Sequence, residues 1–137
     1  MSILDRVRYC MRRDMSRFRP FLIGPARVGW IRDDFAEILR GFPAVFSVAP
    51  EALRLAADLD SFERRSQAVD GVLRQLRDDG VVTGWRDEAY PVSVSFHAPP
   101  LMQIERAAAT LFGIQAHGVH VIGMVGAGDD LRLWVAR

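Results

Sequence analysis

Between residues 85 and 106 the sequence gathers side chains suited to holding a flat, charged ligand. Trp85, Arg86, Glu88 and Tyr90 crowd one short segment. An aromatic ring beside a guanidinium can stack a heterocycle and pair a phosphate. The same residues also fit a buried tryptophan beside an Arg–Glu ion pair, and the sequence leaves both readings open. Glu105 and Arg106 fall where a strand pattern gives way to a helix. Backbone N–H groups at such a start can bind an anion, although Glu105 would oppose one. For Arg106 a structural salt bridge is the favoured reading. His120 alternates with Ile122 and Met124 on one strand face, as either a satisfied core histidine or a group facing a pocket. The candidate substrate-binding set is therefore Trp85, Arg86, Glu88, Tyr90, Arg106 and His120.

Other groupings carry less. Asp58, Asp60 and Glu63 have oxygen-ligand spacing, but they stand where a helix begins, and acidic residues there complement its dipole. The histidines His97, His117 and His120 have no cysteine or carboxylate nearby to complete a compact ligand set. Gly126 and Gly128 join two strands, whereas a phosphate loop joins a strand to a helix. No metal site and no catalytic residue is expected within these residues.

The elements that must position this chemistry follow from apolar spacing. Ile3, Leu4, Val7 and Met11 share one face of a short helix over residues 3–14. Residues 18–23 and 27–31 read as strands around Gly24-Pro25-Ala26, with Pro20 marking an edge strand. Asp33 is expected to cap a helix over residues 35–40, and a hairpin around Ala49-Pro50-Glu51 to follow. The third helix is the clearest: Ser61 as N-cap, a stripe of Phe62, Val69, Val72, Leu73 and Leu76, an Asp70–Arg74 pair on its wet face, and a stop at Gly80. Strands are expected over residues 81–85 and 90–96, then a strand-to-helix transition around residues 104–106. A last hairpin is expected over residues 119–125 and 131–136. The sum is an α+β fold: a mixed, mainly antiparallel sheet, three or four flanking helices and a C-terminal hairpin.

Several ordered blocks resemble a known family. They are Phe21-Leu22-Ile23-Gly24 with Val28-Gly29-Trp30, Gly84-Trp85-Arg86-Asp87-Glu88 with Tyr90-Pro91-Val92, Ile104-Glu105-Arg106-Ala107-Ala108, Leu111-Phe112-Gly113-Ile114 and Gly118-Val119-His120-Val121. In this order they resemble the amino-terminal domain of thiamin-pyrophosphokinase-related Nudix hydrolases. The resemblance implies an accessory domain over residues 1–115 and the first strands of a truncated Nudix domain over residues 116–137. Where family members usually carry a glycine and a tyrosine in that first strand, Gly123 is followed here by Met124. The Nudix box, whose clustered carboxylates hold divalent ions that polarise a pyrophosphate and activate water, does not occur. Glu63-Arg64 and Glu105-Arg106 have the wrong order and no adjacent Glu-Glu pair. The implied function is to shape the pocket of a magnesium-dependent hydrolase acting on a diphosphate-containing small molecule such as a thiamin diphosphate derivative, the chain being inactive alone. The alternative is a free-standing binding or oligomerisation module.

Composition sets the outer bounds. The 137 residues suffice for one ordinary domain, and a net charge of +1 gives no global pull toward nucleic acid or an anionic membrane. Residues 1–19 hold six arginines against Asp5 and Asp14, without an aromatic platform beside them, so a solvated face is favoured over nucleic-acid binding. All eighteen basic residues are arginine and asparagine is absent, which fits a GC-rich bacterial gene. Cys10 is the one cysteine, so a reducing, cytoplasmic setting is expected. An exposed terminal hairpin would also favour a homodimer.

Overall fold

The structure, a computed structural model, describes residues 2–12, 14–118 and 121–135. Helix α1 (Ile3–Cys10) opens with a capping box, in which the Asp5 N–H donates to Ser2 Oγ and the Ser2 N–H to the Asp5 carboxylate. It ends at Cys10, short of the expected residue 14, and buries none of its residues.

Strands β1 (Phe18–Ile23) and β2 (Ala26–Arg32) form an antiparallel hairpin that turns at Gly24, whose φ is +56°. Helix α2 (Asp33–Leu39) follows directly. Asp33 is not its cap. Its N–H is spent on the Arg17 carbonyl, so strand runs straight into helix, Arg32 holds the cap position, and the Asp34 carboxylate takes the Phe35 N–H. Strands β3 (Phe46–Ala49) and β4 (Ala52–Leu55) close a second antiparallel hairpin. Because β4 pairs in parallel with β1, the sheet order is β2-β1-β4-β3.

Pro20 therefore lies on an interior strand, against the edge expected for it. The ladder between β1 and β4 involves only Phe21 and Leu22. Pro20 sits opposite Trp30, whose N–H points outward to Gly113, so the matching position on β1 faces past the short ladder and no donor is missed.

Helix α3 (Phe62–Asp78) has the stripe and cap that its sequence requires: Val69, Val72, Leu73 and Leu76 are buried, and Ser61 Oγ accepts the Arg64 N–H. At its end Gly80 (φ +76°) lets the Gly80 N–H reach the Arg77 carbonyl and the Val81 N–H reach that of Leu76. This is the Schellman closure of a helix. It consumes Val81 and Val82, so the strand expected over residues 81–85 gives way to a loop. Strand β5 (Ala89–Val92), shorter than the expected 90–96, pairs antiparallel with β6 (Met102–Glu105), and a 3-10 turn at Arg106–Ala108 makes the expected transition.

The core centres on Phe112, which follows that turn. Its ring lies 5.2 Å from Phe21 on β1, 5.4 Å from Phe35 on α2 and 5.9 Å from Phe46 on β3. Ser66, buried on α3, donates to the Phe62 carbonyl and accepts the Gln103 N–H, fixing α3 against β6. Two short strands, β7 (Met124–Val125) and β8 (Arg132–Leu133), form a C-terminal hairpin; residues 119, 120 and 136 of the expected hairpin lie outside the described residues, and among the described ones it is briefer than expected. With three α-helices and a mixed sheet among the described residues, the chain is α+β. Among the described residues no helix is long and apolar enough to cross a membrane.

Candidate functional site

A groove of about 310 Å³ runs between α3, strands β5 and β6, and the loop over residues 84–88. The loop turns at Gly84 (φ +71°) and at Asp87, the one described non-glycine residue with positive φ (+55°). What holds it is Glu105, the last residue of β6, only 6% exposed. Its carboxylate accepts the N–H groups of Arg86 at 2.9 Å, Glu88 at 3.2 Å and Ala107 at 3.1 Å. Such charge-assisted bonds are among the stronger ones a protein makes, and they fix the loop between two turns.

Trp85 forms one wall. Its indole N–H donates to Asp87 at 2.8 Å, and the guanidinium groups of Arg74 and Arg77 lie over its ring at 5.4 and 4.9 Å. Arg74 is tied to Asp70 at 2.7 Å. Its pKa is raised first by that hydrogen bond, with the charges of Asp70, Asp87 and Glu105 adding to it. Asp70, Asp87, Glu88 and Glu105 thus face a single guanidinium, Arg74, among the residues lining the groove. The lining is acidic.

Of the residues singled out from sequence, Trp85 and Glu88 line this groove. Arg106 donates to both oxygens of Glu88, at 2.9 and 3.0 Å, as the salt-bridge reading has it. The Arg86 side chain is exposed and absent from the lining, its backbone N–H being its contribution. Tyr90 is half-buried away from the groove, and its hydroxyl accepts the His117 N–H. His120 lies outside the described residues. Sequence reading missed Asp87 and gave Asp70 and Arg74 only a surface role. The i,i+4 spacing showed their pairing but not that the face bearing them looks onto Trp85.

Among the described residues no three His, Cys, Asp or Glu side chains converge to hold a metal ion. The triplet Asp58, Asp60 and Glu63 does not do so either, and Asp60 instead pairs with Arg64. The residues present do not fit the magnesium that the resemblance implies.

Comparison with known proteins places the sequence in a family. Residues 2–116 match the family described as Domain of unknown function (DUF4743), and the chain belongs to it. It is 36% identical over 140 residues to Nudix hydrolase 24, chloroplastic, of Arabidopsis thaliana, covering 99% of this chain and 38% of that protein. Nudix hydrolase 20, chloroplastic, of the same plant is 35% identical over 147 residues, covering 99% of this chain and 39% of the relative. An uncharacterised Saccharomyces cerevisiae protein is 29% identical over 101 residues, covering 70% of this chain and 29% of its own length. The chain spans about two fifths of the length of the plant relatives, so it corresponds to a part of Nudix hydrolases.

Proposed function

We propose that the chain is the substrate-facing accessory part of a Nudix hydrolase acting on a diphosphate-linked metabolite, and that it turns over nothing alone. The observation that carries this reading is coverage: nearly all of this chain aligns with two Nudix hydrolases, yet it accounts for only 38% and 39% of them. The missing Nudix box supports it, since without clustered carboxylates a pyrophosphate has no metal to polarise it. Thiamin diphosphate derivatives are the substrate class implied by the resemblance of the ordered blocks, and magnesium is assigned to carboxylates of the hydrolase outside these residues. A cytoplasmic, bacterial setting rests on the solitary Cys10 and the lysine-free composition, while the plant relatives are chloroplastic by name.

The test is hydrolysis of thiamin diphosphate derivatives, with magnesium, by a longer polypeptide that joins these residues to a Nudix box. Turnover is expected from that polypeptide and not from the 137-residue chain. Trp85→Ala or Glu88→Ala should raise KM more than it lowers kcat. Turnover by the short chain, or none by the long one, overturns the reading. One observation favours the second reading, an oligomerisation module: the apolar side chains of the C-terminal hairpin are exposed.

A further inference from the structure

We propose that the groove beside Trp85 seats a planar organic cation, the nitrogen-bearing heterocycle of a ligand and not its diphosphate, and that Arg74 fills the seat until the ligand arrives. The inference rests on the chain being the substrate-facing part of a hydrolase, and it names which end of the substrate this part receives.

Three observations lead there. The first is that the convergent N–H groups of the 84–88 loop are already filled. The N–H groups of Arg86, Glu88 and Ala107 converge as a phosphate-binding loop's would, but they converge on the Glu105 carboxylate of the same chain. Arg106 is spent on Glu88. An incoming phosphate would find donors taken and carboxylates facing it, which repel it.

The second is that a flat cation already occupies the groove. The Arg74 guanidinium lies 5.4 Å from the centre of the Trp85 ring while paired edge-on with Asp70; Arg77 lies 4.9 Å from the same ring but does not line the groove. Aromatic faces attract cations in this way, and a ring bearing N–H groups presents the same plane, charge and edge donors as a guanidinium. The seat is only lightly held. The Arg74 and Asp70 side chains are 50% and 42% exposed, and a surface pair of this kind adds little stability. Arg74 can swing out while Asp70 and Asp87 stay.

The third is size and lining. About 310 Å³ accepts one or two fused rings. Gln67 and Gln103 on the walls offer amide groups that both donate and accept. Among the described residues no three ligating side chains converge on a metal-sized point, whereas the planar Arg74 guanidinium is already seated beside Trp85.

The test is an NMR titration of the 137-residue chain. The Trp85 indole N–H signal, assigned with Trp85→Phe, is followed against methylguanidinium, 2-aminopyridinium and inorganic pyrophosphate. Both cations should move the signal and pyrophosphate should not. Arg74→Ala, an exposed helix position given the best helix former, should tighten cation binding roughly two- to fivefold, because the Arg74 cation–π contact and its surface pair with Asp70 no longer compete, while Arg77 keeps its own place over the ring. Asp70→Asn with Asp87→Asn should weaken it by a similar factor; asparagine tolerates the positive φ at residue 87. A pyrophosphate that competes for the signal, or an Arg74→Ala chain that binds cations less well, overturns the proposal. Failure of the hydrolase reading shows elsewhere, as a longer polypeptide without turnover, and leaves this titration unchanged.

Discussion

Glu105 is the residue on which the candidate site depends. Its carboxylate is buried and takes three backbone N–H groups, two of them from a loop 17 and 19 positions away. Replacing it with alanine leaves three part-buried donors without their acceptor. Glu105→Ala should cost about 3 kcal/mol, and Glu105→Gln, which keeps one acceptor, about half as much. Urea unfolding measures the loss, and the Arg86 and Glu88 amide signals should broaden or shift in both variants before unfolding begins. A change under about 0.5 kcal/mol for Glu105→Ala would show the loop to be held by something else. The sequence placed Glu105 correctly at a strand-to-helix junction and saw that it would oppose an anion. It could not show that Glu105 itself is the anion, because that depends on a loop brought back by the β5–β6 pairing. Trp85 and Glu88 were legible because they are local to one another. Asp87 was not, since its place in the groove follows from a positive φ that no spacing rule announces.

At the scale of elements, helix ends and close backbone contacts decided what sequence reading found. The caps and stripe of α3 were legible because each signal is local. The strand expected over residues 81–85 was not, because two valines after a glycine suit either a strand or the closure of a helix, and here their N–H groups reach the Leu76 carbonyl. A contact of the same hidden kind joins β2 to the chain after Phe112. Gly113 has φ +57°, and a Cβ there would run into the Trp30 carbonyl, while one on Gly29 would meet the Phe112 carbonyl. Both neighbours are backbone and cannot swing aside. Gly113→Ala should therefore cost upward of about 2 kcal/mol, the left-handed strain alone accounting for 1–2 of it. Thermal unfolding should show this as a fall of roughly 6 °C or more, against a small rise for Gly71→Ala, an exposed position inside α3 where nothing lies within 4 Å and alanine is the better helix former. Equal midpoints for the two variants would mean that the backbone parts freely.

Helix α1 makes a pH prediction at this scale. The hydrogen bond from Ser2 lowers the Asp5 pKa. A carboxylate whose folded pKa is depressed stabilises above its ordinary value, and that contribution is lost as pH falls through the depressed one. The helical signal of residues 3–10, read from backbone chemical shifts, should hold at neutral pH and decline only below the usual aspartate range. Ser2→Ala should weaken the helix at neutral pH and remove most of the acid step. Acid melting that is the same with and without Ser2 would detach the effect from the capping box.

For the molecule as a whole, the unresolved balance is apolar surface. Val121, Trp134 and Val135 are 88%, 76% and 81% exposed, and β7 and β8 pair through two residues each. A two-stranded hairpin alone is marginal in water, and exposed strand edges recruit further strands. The family match ends at residue 116, whereas the plant hydrolases align with 99% of the chain, so this hairpin falls inside the hydrolase similarity and beyond the family model. A surface of that kind should be covered either by the rest of a hydrolase or by a second copy. The 137-residue chain should accordingly associate as its concentration rises. Light scattering should follow it, with Leu133→Glu raising the dissociation constant at least tenfold, since burying a glutamate unpaired costs more than about 1.4 kcal/mol. The other exposed apolar face, Ile3, Leu4, Val7 and Met11 around α1, provides the control. Association that survives Leu133→Glu but disappears with Val7→Glu would move the contact to α1, and a clean monomer at high concentration would remove the need for any cover on the hairpin.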